Sequence, residues 1–463
     1  MSRLFTSEKG FIFTMTGAAI GLGNIWRFPY LVSNYGGGLF LVLYLLTLVG
    51  LGYFLLLGEL ALGKTTGVNV YDGALKIAEK EKSNKPKVWS KLVAGTSLSA
   101  AFMMNIVYLI AMGWILFYVV QNFLYLSDIS PIPVTKETFG ELTSSFQKQL
   151  FWSFLCVLSA AWLLCKGTIK HIEKVATIFI PAIFFIIIYL IFWVLAQGSA
   201  TRGIAQMFMF DWEAIGFTDI GFNPAQFGKV LFVVVSQVFY SLSIGMGVAY
   251  IYGSFVTKET NLMKSARYII LLDTLFSLLA TIFVLGISSA FNIPKDVGVN
   301  LTFITLPVAF EQMLGGSFVM FLFYSVLYLA AFTSLVSHFV PLVFFLNDKL
   351  KISKSLAFTF VAIADMFFVV FVLLSFSGII NTTIFGENLF DFTNMATDTV
   401  LLLSVLLMSL FVGKVAFKPT YKTLQKDMGK DFKPLSLDYI KIVFCCIAPV
   451  VLLFVIVSVL FIF

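Results

Sequence analysis

Eleven strongly apolar segments, most of them long enough to cross a lipid bilayer, follow one another along this sequence of 463 residues. A membrane-spanning helix needs about 20 predominantly apolar residues. The composition, 59% hydrophobic and 12% charged, excludes a soluble domain of this length. The sequence therefore predicts an all-α integral membrane protein with about eleven transmembrane helices. The predicted spans are residues 10–35, 39–62, 89–126, 151–165, 175–196, 227–255, 267–291, 319–346, 356–380, 390–411 and 439–463.

Basic residues gather in alternate loops between these spans. Lys64 and Lys76 follow span 2 and Lys258 and Lys264 follow span 6, whereas Lys295 is the one lysine or arginine between residues 291 and 318. Lysine-rich loops face the cytoplasm, so the N-terminus is predicted to be cytoplasmic and the C-terminus extracytoplasmic. This distribution explains the net charge of +7 without a nucleic-acid-binding face. The four cysteines lie in or beside spans and predict neither a disulfide framework nor a zinc site.

The first apolar segment contains residues that a membrane helix normally avoids. Between positions 17 and 30 it carries Gly21, Gly23, Asn24, Arg27 and Pro29. Glycine destabilises a helix by about 1 kcal/mol, and proline removes a backbone donor. Broken backbone is tolerated in a membrane only where it is buried in protein or lines a watery cavity. The sequence therefore predicts a helix that is broken at mid-membrane, where such helices bind ions and small solutes.

A second break of the same kind occurs five spans later. Span 6 is interrupted around Ser241, Ser243, Gly245 and Gly247. An offset of five spans gives the two broken segments opposite directions, so residues 10–196 and 227–411 are predicted to form inverted five-helix repeats. Residues 439–463 form an eleventh span, and residues 1–463 form a single domain. Close helix packing through small residues is the alternative for either break alone, but two matching breaks favour a binding site.

Four stretches resemble the signatures of the neurotransmitter:sodium symporter family. They are GLGNIWRFPY at positions 21–30, NYGGG at 34–38, SLSIG at 241–245 and TFITLP at 302–307. The resemblance extends over essentially the whole chain, and the eleven spans are similar to the shorter bacterial amino-acid transporters. It implies a sodium-coupled symporter in the bacterial inner membrane that works by alternating access. Its partners would be a neutral amino acid, sodium ions and the lipid bilayer, with no organic cofactor.

The resemblance also implies a substrate site at the two breaks. The substrate carboxylate would meet the freed amides of Leu22 and Gly23 and the hydroxyl of Tyr108, since helix ends present unpaired donors and a positive dipole. Monoamine transporters of the family carry an aspartate where this chain has Gly21, which implies a substrate that brings its own carboxylate. The residues implied to line the site are Ala19, Leu22, Gly23, Met104, Tyr108, Tyr240, Ser241, Ser243, Met246, Ser334 and His338.

Two sodium sites are implied as well, because sodium is a hard cation that prefers oxygen ligands. The implied ligands are Ala19, Asn24, Ser241 and Asp273 at the first site, and Gly17, Ile20, Ala330, Thr333 and Ser334 at the second. Hydrogen bonding to the preceding helical turn is the alternative role for Thr333 and Ser334.

Asp273 stands out among these residues because an ionisable group inside a span is costly and usually functional. Chloride-dependent members typically have an asparagine at this position, so the resemblance implies chloride-independent transport. The residues that resemble the chloride ligands of the family are Tyr44, Gln237, Ser241 and Ser277.

Gates are implied at both ends of the site. The implied residues are Arg27 with Asp391 or Asn394 on the outside, and Arg3 with Asp348 on the inside. Solvated loop charges are the alternative, because exposed ion pairs contribute at most about 1 kcal/mol. Glu59 is expected to accept hydrogen bonds from the broken backbone of span 6.

The implied side-chain pocket favours an aromatic or large neutral L-amino acid, and tyrosine is the first candidate. Met246 stands where aliphatic-selective relatives tend to have phenylalanine, and methionine is an adaptable side chain. His338 lies four residues after Ser334 on the same helix face. It would hydrogen-bond a phenol or an indole, or it is a core histidine paired with a backbone carbonyl.

The alternative classes of protein are an intramembrane enzyme, a channel and an amino-acid sensor. A metalloprotease needs a His-Glu-x-x-His pair, which the sequence lacks. A Ser–His protease could use Ser334 and His338, but no Gly-x-Ser-x-Gly turn surrounds them. The chain is therefore not expected to be an enzyme. A channel fits the paired breaks less well than occlusion between gates does. A transport-inactive amino-acid sensor would share the binding residues, and only a measurement of flux separates it from a transporter.

Overall fold

Helices dominate the computed structural model, which describes residues 4–165, 169–197, 199–219, 221–292, 298–427 and 435–462. Eight of the described helices are long and apolar enough to cross a membrane. Two interrupted helices and the shorter Phe146–Leu164 complete the predicted eleven. The spans, numbered 1 to 11, are Glu8–Ala19 with Phe28–Asn34, Gly38–Thr66, Pro86–Leu126, Phe146–Leu164, Ile169–Leu195, Pro224–Ser241 with Val248–Gly253, Leu262–Ala290, Gly316–Leu350, Lys354–Phe376, Leu389–Asp427, and Leu435–Ile442 with Ala448–Ile462.

Short elements connect the spans. The connecting helices are Val70–Lys80, Thr138–Thr143, Ala200–Phe208, Gly298–Asn300 and Leu306–Glu311. Wider π-helical turns occur at Gly23–Arg27, Leu48–Gly52, Leu301–Thr305, Val412–Ala416 and Val443–Ile447. Two small antiparallel hairpins pair β1 (Phe217–Thr218) with β2 (Gly221–Phe222) and β3 (Thr383–Ile384) with β4 (Glu387–Asn388).

Several spans begin a few residues before the apolar segments that predict them. Asn261, Ser353 and Asn388 cap spans 7, 9 and 10, because their side-chain oxygens accept hydrogen bonds from the first backbone amides of the helix. Pro224 occupies the first turn of span 6, a favourable position for proline. These capping turns are polar, so the hydropathy of the sequence places the boundaries too late.

The contacts between spans repeat with a shift of five. Span 3 packs against spans 4, 8 and 10, and span 8 packs against spans 9, 3 and 5. Likewise, span 1 contacts spans 5 and 7, and span 6 contacts spans 10 and 2. Adding five to the span numbers in the contacts of span 3 gives the contacts of span 8, if numbers above ten continue from one. The contacts of spans 1 and 6 are related in the same way. Since five crossings reverse the direction of the chain, this pattern is that of two inverted five-helix repeats, with span 11 outside them.

Candidate functional site

Span 1 is broken where the glycine cluster predicts it. The first helical part ends at Ala19, and Ile20 adopts an extended conformation with φ −72° and ψ 108°. Regular turns resume with the π-helical segment Gly23–Arg27. The first amides of a helix have no acceptor within it. The break therefore places the amides of Leu22 and Gly23 in the protein interior, at the start of the second helical part of span 1.

Gly21 is enclosed so tightly that a side chain does not fit. A Cβ atom there would lie 2.4 Å from the Tyr108 hydroxyl oxygen and 2.9 Å from the Ser334 hydroxyl oxygen. The Gly21 amide donates to Asn24 Oδ1 at 2.9 Å, which fixes the turn. The Tyr108 hydroxyl also lies beside the Leu22 amide. An aspartate at position 21 would collide with both hydroxyl groups.

Span 6 is broken over residues 242–247 and is held open by neighbouring spans. Ser243, Gly245 and Gly247 have φ values of 52°, 86° and 71°, in the left-handed region. The Gly245 amide donates to Glu59 Oε1 at 2.7 Å, and Ser404 donates to the Gly245 carbonyl at 2.6 Å. The expected role of Glu59 as an acceptor for this backbone is therefore confirmed.

The two breaks are joined directly. Ser243 Oγ donates to the Ala18 carbonyl at 2.8 Å. The hydroxyl of this predicted pocket residue thus faces the backbone of span 1, just before its break.

A buried polar cluster lies on one side of the span 1 break. Asn24 Nδ2 lies 2.8 Å from Asp273 Oδ1 and 2.7 Å from Ser277 Oγ. Ser241 Oγ lies 2.8 Å from Asp273 Oδ2, and the Asp273 side chain is 0% exposed. The structure brings together three of the residues predicted for the first sodium site, with a carboxylate at their centre. An oxygen-rich set of this kind suits a hard cation.

The residues that resemble chloride ligands lie around the same cluster. Ser241 and Ser277 are engaged with Asn24 and Asp273. Tyr44 Oη and Gln237 Oε1 are buried and have no hydrogen-bond partner among the described residues.

A second oxygen cluster lies on the other side of the break. Ser334 Oγ lies 3.2 Å from the Gly17 carbonyl and 3.0 Å from the Ile20 carbonyl. Thr333 Oγ1 donates to the Ala330 carbonyl at 3.0 Å, within its own helix. A Cβ atom on Gly17 would lie 3.1 Å from Thr333 Cβ, so span 1 and span 8 touch here. All five residues predicted for the second sodium site are therefore neighbours.

The predicted side-chain pocket is buried between spans 3, 6 and 8. The rings of Tyr108 and His338 meet edge to face, with centroids 5.0 Å apart. His338 is 1% exposed, and its Nδ1 has no hydrogen-bond partner among the described residues. Met104, Met246 and Tyr240 are buried as well. The unpartnered nitrogen adds a buried polar atom to the hydroxyl groups of Tyr108 and Tyr240 in this pocket.

Arg27 closes one end of the site, but with a different partner from those predicted. Its guanidinium contacts both carboxylate oxygens of Asp398, with the Nη2–Oδ2 distance at 3.0 Å and the Nη1–Oδ1 distance at 3.3 Å. It also lies over the Tyr240 ring, 5.4 Å from its centroid. The prediction that Arg27 pairs with Asp391 or Asn394 is wrong in this conformation.

Position along span 10 explains the difference. Asp391 lies in the first turn, where Asn388 holds both its amide and its carboxylate. Asp398 lies seven residues further on, or about two turns deeper in the membrane. Asp391, Asn394 and Asp398 all line a cavity of about 470 Å³ that leads down to Arg27. The rule that singles out Asp273, an ionisable residue within a span, also applies to Asp398.

The predicted gate at the opposite end is described only in part, because Arg3 lies outside the described residues. Asp348, at the end of span 8, accepts a hydrogen bond from Asn69 Nδ2 at 3.1 Å. Asn69 caps the connecting helix Val70–Lys80.

A closure that the sequence analysis missed involves Glu173 of span 5. Its carboxylate accepts from the Thr6 amide at 2.8 Å and from the Ser7 hydroxyl at 3.1 Å. The Phe5 amide donates to the Phe255 carbonyl at 2.9 Å, and the Phe5 side chain is buried. The N-terminal segment thus packs against span 5 and the residues that directly follow span 6.

Two helices broken at mid-membrane, oxygen clusters beside one break and closures at both ends define a multi-pass secondary transporter. The family model for the sodium:neurotransmitter symporter family matches residues 3–128 and 135–463. The chain belongs to this family of transporters, which are not enzymes, and the predicted resemblance is confirmed.

Individual relatives agree with this assignment. A sodium-dependent transporter of Haemophilus influenzae is 28% identical and covers 99% of this chain and 98% of its own length. The human inactive sodium-dependent neutral amino acid transporter B(0)AT3 is 26% identical over 61% of this chain and 46% of its own. The crystal structure of MhsT in complex with L-phenylalanine matches with a TM-score of 0.84, 28% identity and 99% coverage of both chains. This match confirms the predicted fold.

Proposed function

We propose that this protein is a sodium-coupled symporter that imports a neutral aromatic L-amino acid, with tyrosine as the first substrate. The observation that carries the proposal is the meeting of the two broken spans. Where they meet, the buried amides of Leu22 and Gly23 lie between two oxygen clusters, one at Asp273 and the other at Ser334. Amides of this kind suit a carboxylate, and oxygen clusters suit sodium ions.

The enclosure of Gly21 supports a substrate with its own carboxylate. The space that a side chain would need is filled by the Tyr108 and Ser334 hydroxyls. No acidic side chain from position 21 can therefore reach an amine. The amide of Leu22 and the Tyr108 hydroxyl remain to bind a carboxylate group.

His338 supports tyrosine in particular. Its buried Nδ1 lacks a partner among the described residues, and a buried polar atom normally has one. A phenolic hydroxyl at the end of the substrate side chain would supply that partner. MhsT, with 28% identity over the whole chain, has been crystallised with L-phenylalanine, which fits a pocket for an aromatic ring.

The carboxylate of Asp273 is the reason to propose two bound sodium ions and no bound chloride. Its carboxylate carries a fixed negative charge into the first cluster, so no bound anion is needed to balance the cation there. The second ion would lie among the carbonyls of Gly17 and Ile20 and the Ser334 hydroxyl.

Alternating access would rock spans 1, 2, 6 and 7 against spans 3, 4, 8 and 9. We place the protein in a bacterial inner membrane with its N-terminus on the cytoplasmic side. Arg27 and Asp398 would then form the outer gate. The segment held by Glu173 would then form part of the inner gate, with Asp348.

Uptake of labelled tyrosine into proteoliposomes tests the proposal. An inward sodium gradient should drive accumulation, with or without chloride, and a potassium gradient should not. Uptake of only a different amino acid would retain the symporter and refute the tyrosine assignment. Binding without accumulation of any amino acid would refute symport and favour a sensor.

A further inference from the structure

A further buried carboxyl group lies away from both oxygen clusters, on span 9. Asp365 occupies the middle of Lys354–Phe376, and Asn105 occupies the middle of span 3. Both side chains are 0% exposed, and Asn105 Nδ2 donates to Asp365 Oδ2 at 3.0 Å. This acid–amide pair therefore joins two spans near the centre of the bilayer.

The pair is incomplete as a carboxylate with an amide. Asp365 Oδ1 and Asn105 Oδ1 are both buried, and neither has a hydrogen-bond partner among the described residues. Both atoms are acceptors when the acid is ionised, so they cannot satisfy each other. A buried charge in a membrane span is also costly without a compensating cation.

We propose that Asp365 is a proton-binding site and carries its proton in this closed conformation. The proton lies on Oδ1, and the resulting O–H donates to Asn105 Oδ1. Asn105 Nδ2 donates to Asp365 Oδ2 as before, which completes a two-point acid–amide pair with zero net charge. One proton, taken up from water, thus satisfies both unpartnered oxygens.

A proton fits the pair better than a metal cation does. Sodium requires more oxygen ligands than the two free atoms of this pair. Spans 3, 4, 8 and 10 pack against span 9. In the described part of the chain, Asn105 is the one residue that interacts with the Asp365 carboxyl. Titratable groups of the neighbouring spans that have no such interaction include Tyr108, Tyr118, Cys156, Tyr324, Tyr328, His338 and Asp398, as well as those at the ends of the spans.

The position of the pair gives the proton a function. Asn105 lies on span 3 between Met104 and Tyr108, two of the residues of the candidate substrate pocket. An ionised Asp365 would add a negative charge at the depth where the proposed function places the substrate carboxylate. The proton keeps this part of the scaffold neutral. This role of the proton rests on the proposed function, whereas the presence of the proton does not.

Infrared difference spectroscopy of the purified, substrate-free protein tests the proton directly. The wild-type spectrum minus that of Asp365→Asn should contain the carbonyl band of a protonated carboxylic acid, which shifts in D₂O. A carboxylate band in its place would overturn the proposal. Because the protein is free of substrate, this result is independent of whether tyrosine is transported.

Two further variants keep the test decisive if Asp365→Asn folds poorly. Asn105→Leu removes the partner and should shift the acid band without abolishing it, whereas an unshifted band would overturn the pairing. Asp365→Asn can form the same two hydrogen bonds through its amide, so its melting temperature should stay close to that of wild type. Asp365→Leu, which cannot form them, should lower the melting temperature, and an equal melting temperature would also count against the pair.

Discussion

The partner of His338 Nδ1 decides whether the pocket recognises a phenol. Replacing His338 by leucine removes both this buried nitrogen and the edge-to-face contact with Tyr108. The contact between the rings contributes about 0.5–1.5 kcal/mol. It is lost for every substrate alike, so it cancels when two substrates are compared.

The difference between tyrosine and phenylalanine isolates the hydrogen bond. Leaving a buried polar group unpaired costs about 1–3 kcal/mol. In the proposed complex, tyrosine provides a partner for Nδ1, whereas phenylalanine leaves it unpaired. We therefore expect wild type to prefer tyrosine by about 5- to 150-fold, at about 1.4 kcal/mol for each factor of ten. His338→Leu should lose this preference.

Competition against labelled tyrosine in proteoliposomes measures the ratio. The inhibition constants of tyrosine and phenylalanine are determined for wild type, His338→Leu and His171→Leu, in which the second, exposed histidine is replaced. The control should keep the wild-type ratio. An equal loss of affinity for both amino acids in His338→Leu would refute the phenol contact.

Three further variants test the break, the gate and the anion balance. Gly21→Ala crowds the Tyr108 hydroxyl and should weaken amino-acid binding about 5- to 150-fold, because overpacking costs about 1–3 kcal/mol. Gly95→Ala is the control, since a Cβ atom there meets open space, and it should bind as wild type does. Similar binding by both variants would contradict the steric argument. Asp398→Asn removes an ion pair worth about 1 kcal/mol and should speed release of bound amino acid about fivefold, whereas Asp391→Asn should not, and equal effects would exclude Asp398 as the specific partner of Arg27. Asp273→Asn should make uptake depend on chloride, and loss of uptake in both media would contradict the charge-balance argument.

The breaks in spans 1 and 6 can be predicted from sequence because their signal is local. Glycine, asparagine and proline within an apolar segment indicate a break in the helix. Such a break is stable in a membrane only where neighbouring helices surround it and satisfy its free backbone groups. Gly21 shows how specific this signal is, since its missing side chain leaves the space that Tyr108 and Ser334 occupy.

The ion pair of Arg27 cannot be predicted in the same way. Asp391, Asn394 and Asp398 all line the same cavity. Which of them meets Arg27 depends on the depth and tilt of span 10 relative to span 1, and neither quantity is encoded in a short stretch of sequence. Glu173 was missed for a similar reason, because its partners at Thr6 and Ser7 reach it only when the N-terminal segment folds back.

The two ends of the transport path are sealed with unequal strength. At one end, Arg27 and Asp398 are 20% and 15% exposed and form a single ion pair beneath a water-accessible cavity. At the other end, Glu173 holds Thr6 and Ser7 while the Phe5 ring is buried beside Tyr252. We expect the Arg27 end of the unliganded transporter to open more readily than the Glu173 end, because fewer contacts must break there. The direction of loading would then be a built-in bias of the unliganded protein, present before any gradient acts on it.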